Sequence, residues 1–91
     1  MADTERDYIE KCKRKIEESL NWLPDSQPKQ RDFEFLLDLI EQKSKIRLSL
    51  STIKRIWSKE NYILPQIATL NALANFLDFA DWTDFKKNHL L

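Results

Sequence analysis

The chain has 91 residues, of which 42% are hydrophobic and 33% charged, with no net charge and no glycine. That length suits one domain whose core needs neither disulfides nor metal, and the lack of glycine removes every glycine-dependent phosphate loop. A single cysteine rules out a disulfide framework and points to a reducing, cytoplasmic setting, while no apolar run approaches membrane-spanning length.

The first helix is predicted from Tyr8, Ile9, Cys12, Ile16, Leu20 and Leu23, which step by three or four along one apolar stripe. Thr4 is placed to cap it, with Asp7 at the acidic position of a capping box. Lys11, Lys13, Arg14 and Lys15 flank the stripe. The opening MADTERDYIEKCKRK is charged from its third residue and lacks an apolar signal core. Cys12 lies on the stripe and reads as a small buried hydrophobe, not a reactive thiol. Pro24 and Pro28, with Asp25, Ser26 and Gln27, form a polar break too short to link domains.

Asp32 is the expected cap of a second helix, whose main stripe is Phe33, Leu36, Leu37 and Ile40. Phe35 and Leu39 widen that stripe, as in a central helix touched by several neighbours. Ser44–Arg47 is a polar, basic connection. Ser49 then offers a hydroxyl to the free N–H groups of a third helix. Leu50, Ile53, Ile56 and Trp57 form its apolar side, so Trp57 reads as a packing residue. Ser51, Thr52, Lys54, Arg55, Ser58 and Lys59 form the opposite side. Residues 43–59 carry 6 bases and no acid, whereas 1–10, 19–42 and 60–91 sum to −3, −3 and −2.

Glu60–Pro65 is the next break, and Pro65 suits the start of a fourth helix with the stripe Ile67, Leu70, Leu73, Ala74 and Leu77. Asp78 follows where glycine often sits and tolerates left-handed geometry. Asp81 and Asp84 are placed to cap a short fifth helix. Phe79, Trp82 and Phe85 are expected to fold back onto a core in which Ile53, Ile56 and Trp57 face Leu36, Ile40, Leu70 and Leu73. No segment alternates with a two-residue period. The sequence therefore predicts an all-α, compact five-helix bundle with a helix-turn-helix-like core, a single domain over 1–91.

The segments LSLSTIKRIWSKE and PQIATLNALANFLDF resemble the helix-turn-helix domains of the phage-repressor, or xenobiotic-response-element, type. The matching residues are Leu48, Ser49, Thr52, Ile53, Arg55 and Ile56, then Pro65, Thr69, Leu70, Leu73, Ala74 and Leu77. More of the chain is similar to bacterial N-terminal helical domains with the patterns KTGxxLSxxTLKRxWG and TLNxLAxFLGYxxWxxF. Here these read KSKIRLSLSTIKRIWS and TLNALANFLDFADWTDF. The glycines of those patterns stand at Lys45, Ser58 and Asp78, and the turn is about three residues longer than in an ordinary repressor. The resemblance implies a DNA-binding role in transcription regulation, and a chain that can be the N-terminal piece of a longer bacterial protein.

On that reading Lys43, Lys45, Arg47 and Lys59 meet phosphates, and Ser51, Thr52, Lys54 and Arg55 lie near base edges of double-stranded DNA. The other reading is a death-fold-like protein-interaction domain that uses the same basic face either against an acidic protein or, homotypically, against Asp78, Asp81 and Asp84 of another copy. No nucleophile–base–orienter set stands out, so an enzyme is not expected. His89 has no companion ligands for a metal. No cofactor, small-molecule substrate or membrane contact is expected within these residues.

Overall fold

The structure, a computed structural model, describes residues 5–22, 28–58 and 65–89. Thr4, Leu23, the 24–27 part of the first break, Lys59 and residues 60–64 lie outside that description. Five helices follow in order: α1 (Glu5–Ser19), α2 (Gln30–Ser44), α3 (Leu50–Trp57), α4 (Ile67–Phe76) and α5 (Trp82–Asn88). No strand is present among the described residues. The described residues form an all-α five-helix bundle, as the periodicity predicts, and the Cα radius of gyration of 12.3 Å matches one compact body of this length.

Each helix end has a local cause. Asn21 (φ 60°) and Asp78 (φ 72°) take left-handed geometry just beyond α1 and α4. There Trp22 donates its N–H to Glu17 O, and Phe79 donates to Ala74 O, closing both ends in the same back-folded motif. Lys45 (φ 63°) ends α2 in the same region and donates its N–H to Glu41 O. Left-handed backbone therefore occurs at two positions, Lys45 and Asp78, where glycine stands in the bacterial patterns; Ser58, the third, is extended at φ −76°.

Three sequence expectations are corrected. Asp32 does not cap α2, which begins two residues earlier at Gln30; its carboxylate reaches back to accept the Lys29 N–H at 2.8 Å. Ile67 is not a core residue, because it opens α4 and is 61% exposed. The widened stripe of α2 is not fully covered, since Phe35 is 58% exposed. The most enclosed helix is α4, which buries Thr69, Leu70, Ala72, Leu73, Ala74 and Phe76 and packs on both α2 and α5.

One core joins all five helices. Ile53 and Ile56 lie in it with Leu36, Ile40, Leu70 and Leu73, and Trp57 packs at its edge. Ile9, Cys12 and Ile16 enter it from α1. Cys12 has no exposed surface, and burial pushes its thiol up to about 12, so the reactive thiolate is suppressed.

Candidate functional site

α3 is short, and its two sides differ sharply. Ile53 and Ile56 are buried, while Ser51, Lys54 and Arg55 are exposed. Ser49 caps the helix, accepting the Thr52 N–H at 3.1 Å. The Ser49 and Thr52 hydroxyls also share a 2.8 Å hydrogen bond, so Thr52 is partly committed to the cap. At the other end the Trp57 indole N–H donates to Glu17 Oε2 at 2.9 Å. Its ring packs beside Trp22 and Phe33, with centroids 5.8 and 5.9 Å away. Lys13, expected to flank the α1 stripe, is instead buried between Glu10, 3.2 Å from its Nζ, and the Trp57 ring, 5.8 Å to the centroid. α3 is thus held at its start by a local cap and at its end by α1.

The predicted basic surface divides into two groups. Lys43 is bound to Asp78 at 2.6 Å. Arg47 is bound to Asp38 at 2.8 Å and to Glu41 at 3.1 Å. The Asp38 hydrogen bond leads the influences that raise the Arg47 guanidinium above its ordinary pKa. Lys45, Lys54 and Arg55 are exposed and form no ion pair among the described residues. Lys59 lies outside them. Ser51, Lys54 and Arg55 therefore share one ridge, Lys45 stands at the end of α2, and Lys43 and Arg47 are largely offset by acids of their own chain.

Those acids are what sequence reading missed. Glu34, Asp38 and Glu41 share one side of α2 at spacings of four and three. Glu34 and Asp38 line an open groove with Arg47, Leu48, Ser49 and Leu50 at the start of α3. The spacing was visible, but its position beside α3 comes only from the turn. The other acidic group is also committed in part. Asp78 carries Lys43, Asp81 accepts the Asp84 N–H at 2.8 Å, and Asp84 accepts the Ala80 N–H at 3.0 Å. Among the described residues no three His, Cys, Asp or Glu side chains gather as metal ligands would, and no helix is long and apolar enough to cross a membrane. No protein-family model, curated protein or solved structure matches the chain.

Proposed function

We propose that the chain is a helix-turn-helix-type DNA-binding module of transcription regulation, with α3 as the recognition helix. The observation that carries this reading is the ridge of Ser51, Lys54 and Arg55. It is polar and exposed, bears two cations with no ion pair among the described residues, and stands on a helix whose other side is sunk in the core. A helix presented this way offers short side chains to base edges and long cations to phosphates. Lys45 adds a third unpaired cation at the turn.

The test is duplex binding by the parent and by Lys54→Glu/Arg55→Glu. Both positions lie off the buried side, so the variant keeps the parent's helical spectrum and loses DNA binding. With about three phosphate contacts, the parent's affinity falls roughly fortyfold between about 50 and 200 mM salt. A parent that ignores duplex DNA at about 50 mM salt overturns the reading.

One observation favours a second reading, a helical protein-interaction domain. The acids Glu34 and Asp38 beside the start of α3 repel phosphate but suit a partner of mixed charge. On that reading the same double variant loses a protein partner and DNA has no effect. The acids at Asp78, Asp81 and Asp84 are engaged within their own chain, which makes a different protein of mixed charge a better fit than a head-to-tail copy.

A further inference from the structure

Lys54 and Arg55 lie in the last turn of α3. That turn is the weak part of a short helix, because its carbonyls lack helical partners and end turns open first. α1, α2 and α4 each close on a left-handed residue, Asn21, Lys45 and Asp78. α3 has no such closure, since Ser58 is extended at φ −76° and ψ 136°. The turn that carries both cations of the ridge is therefore held by side chains.

Ile56 seats the inner side of that turn in the core, a contact that fixes depth more than direction. The extensive helix–helix contact of α3 is with α2, and α3 shares none with α1. Among the described residues an open cleft lies between α1 and α3, lined by Glu10, Lys13, Glu17, Trp22 and Trp57. Trp57, the last residue of α3, reaches across it. Its indole N–H donates to Glu17 Oε2 at 2.9 Å. Lys13, one turn earlier on α1, stands over the ring at 5.8 Å and is held in turn by Glu10. Glu10, Lys13 and Glu17 follow at spacings of three and four, so α1 presents them along one row. Trp22 and Phe33 pack beside the ring, but the bond to the carboxylate is the directional, charge-assisted contact.

We propose that Glu17 is a positioning residue for the recognition helix: by accepting the Trp57 indole N–H it holds the last turn of α3, and so Lys54 and Arg55, in the orientation that meets DNA. Only the last step of the inference rests on the DNA-binding reading, because the hold on the turn is a property of the free chain. The other end of α1 provides a control. Glu5 accepts the Trp82 indole N–H at 2.7 Å, an equivalent bond to α5, which carries none of the ridge.

The experiment follows amide hydrogen exchange and duplex affinity in the 91-residue chain. Glu17→Gln keeps an acceptor oxygen and Glu17→Leu does not, and both lack the same charge. Relative to Glu17→Gln, Glu17→Leu is expected to exchange about tenfold faster at residues 54–58, as the loss of one hydrogen bond to a charged group requires, with α5 unchanged. Its duplex affinity is expected to fall severalfold, because the competent arrangement is less populated. The salt slope stays the same, because the same cations meet phosphate. Trp57→Phe removes the donor and keeps a ring, so it is expected to reproduce the local change, and the double variant to add nothing further. Glu5→Gln is expected to leave both the exchange at 54–58 and the duplex affinity as in the parent. Exchange at 54–58 no faster in Glu17→Leu than in Glu17→Gln overturns the inference. So does an acceleration shared equally by α5, which would make Glu17 an ordinary stabilising residue. Local acceleration with undiminished duplex affinity overturns the positioning role in binding. A parent that binds no duplex overturns the DNA reading and the last step with it, while the exchange comparison still decides whether Glu17 holds the turn.

Discussion

The two short helices, α3 and α5, use their polar groups in opposite ways. In α5 the polar groups of Trp82, Asp84, Lys86 and Asn88 have partners inside the chain, while Thr83 and Lys87 are exposed and their side chains make no hydrogen bond or ion pair among the described residues. Asn71 accepts the Trp82 N–H at 2.8 Å. Glu5 accepts from both the Trp82 indole and Lys86, each at 2.7 Å. Asn88 donates to Asp84 O at 2.8 Å. Phe85 stacks on Trp82 and His89, with centroids 5.0 and 4.3 Å away. α3 has an equally sound cap and one indole bond, but its outer ridge makes no such bonds among the described residues. A helix that consumes its polar groups internally is there to hold the fold together. α3 instead sets two unpaired cations side by side on a firmly seated backbone, and the proposed binding role rests on that pair.

The largest effects should come from the seats of the two helices, which resemble each other. Phe85→Ala should cost about 3–5 kcal/mol and Ile56→Ala about 2–5 kcal/mol, since both side chains are buried and leave cavities. Denaturant unfolding of the two variants measures both. A loss under about 0.5 kcal/mol for Ile56→Ala would mean that α3 is not packed against Leu36 and Leu70, and the contrast would collapse at its base.

A smaller effect belongs to α5 alone. Burial pushes the Glu5 carboxyl up, but hydrogen bonds from Lys86 and Trp82, with the Lys86 charge, bring it net below its ordinary 4.5. A carboxylate lowered in the folded state adds stability that is complete above the unfolded value and is lost as pH falls through the folded one. The tie between α1 and α5 should therefore weaken only in acid. Glu5→Gln should lower the melting temperature at neutral pH and make the acid decline shallower. An acid decline identical to the parent's would show that Glu5 does not carry the tie.

How far these features can be read in sequence depends on how local their causes are. The α3 cap at Ser49, the α5 cap at Asp81 and the left-handed residue at Asp78 follow from side-chain chemistry within a few positions. The core members follow from spacing. Phe35 defeats the same logic: an apolar residue beside a stripe looks buried, yet its burial depends on whether another helix reaches that side of α2. The basic stretch fails for a similar reason. Counting 6 bases in residues 43–59 says nothing of Asp38, Glu41 and Asp78, which the fold brings to Arg47 and Lys43 from other segments. Lys13 is hidden by Trp57, 44 positions along the chain.

The smallest effect on stability should accompany an informative effect on binding. Asp38→Asn with Glu41→Gln removes both carboxylates that hold Arg47. All three side chains are at least half exposed, so water already screens the pairs and the melting temperature should stay close to the parent's. The surface beside α3 changes far more, losing two negative charges and releasing one guanidinium. If α3 meets DNA, the variant should bind duplex more tightly than the parent. The slope of log affinity against log salt should also steepen by about 0.9, as one further phosphate contact requires. If the partner is instead a protein whose cations use Asp38 and Glu41, the same change should weaken that complex and leave the melting temperature alone. Duplex affinity that does not rise would place the start of α3 away from phosphate. The free ridge would then differ from α5 in exposure only, and its cations would have no claim to DNA.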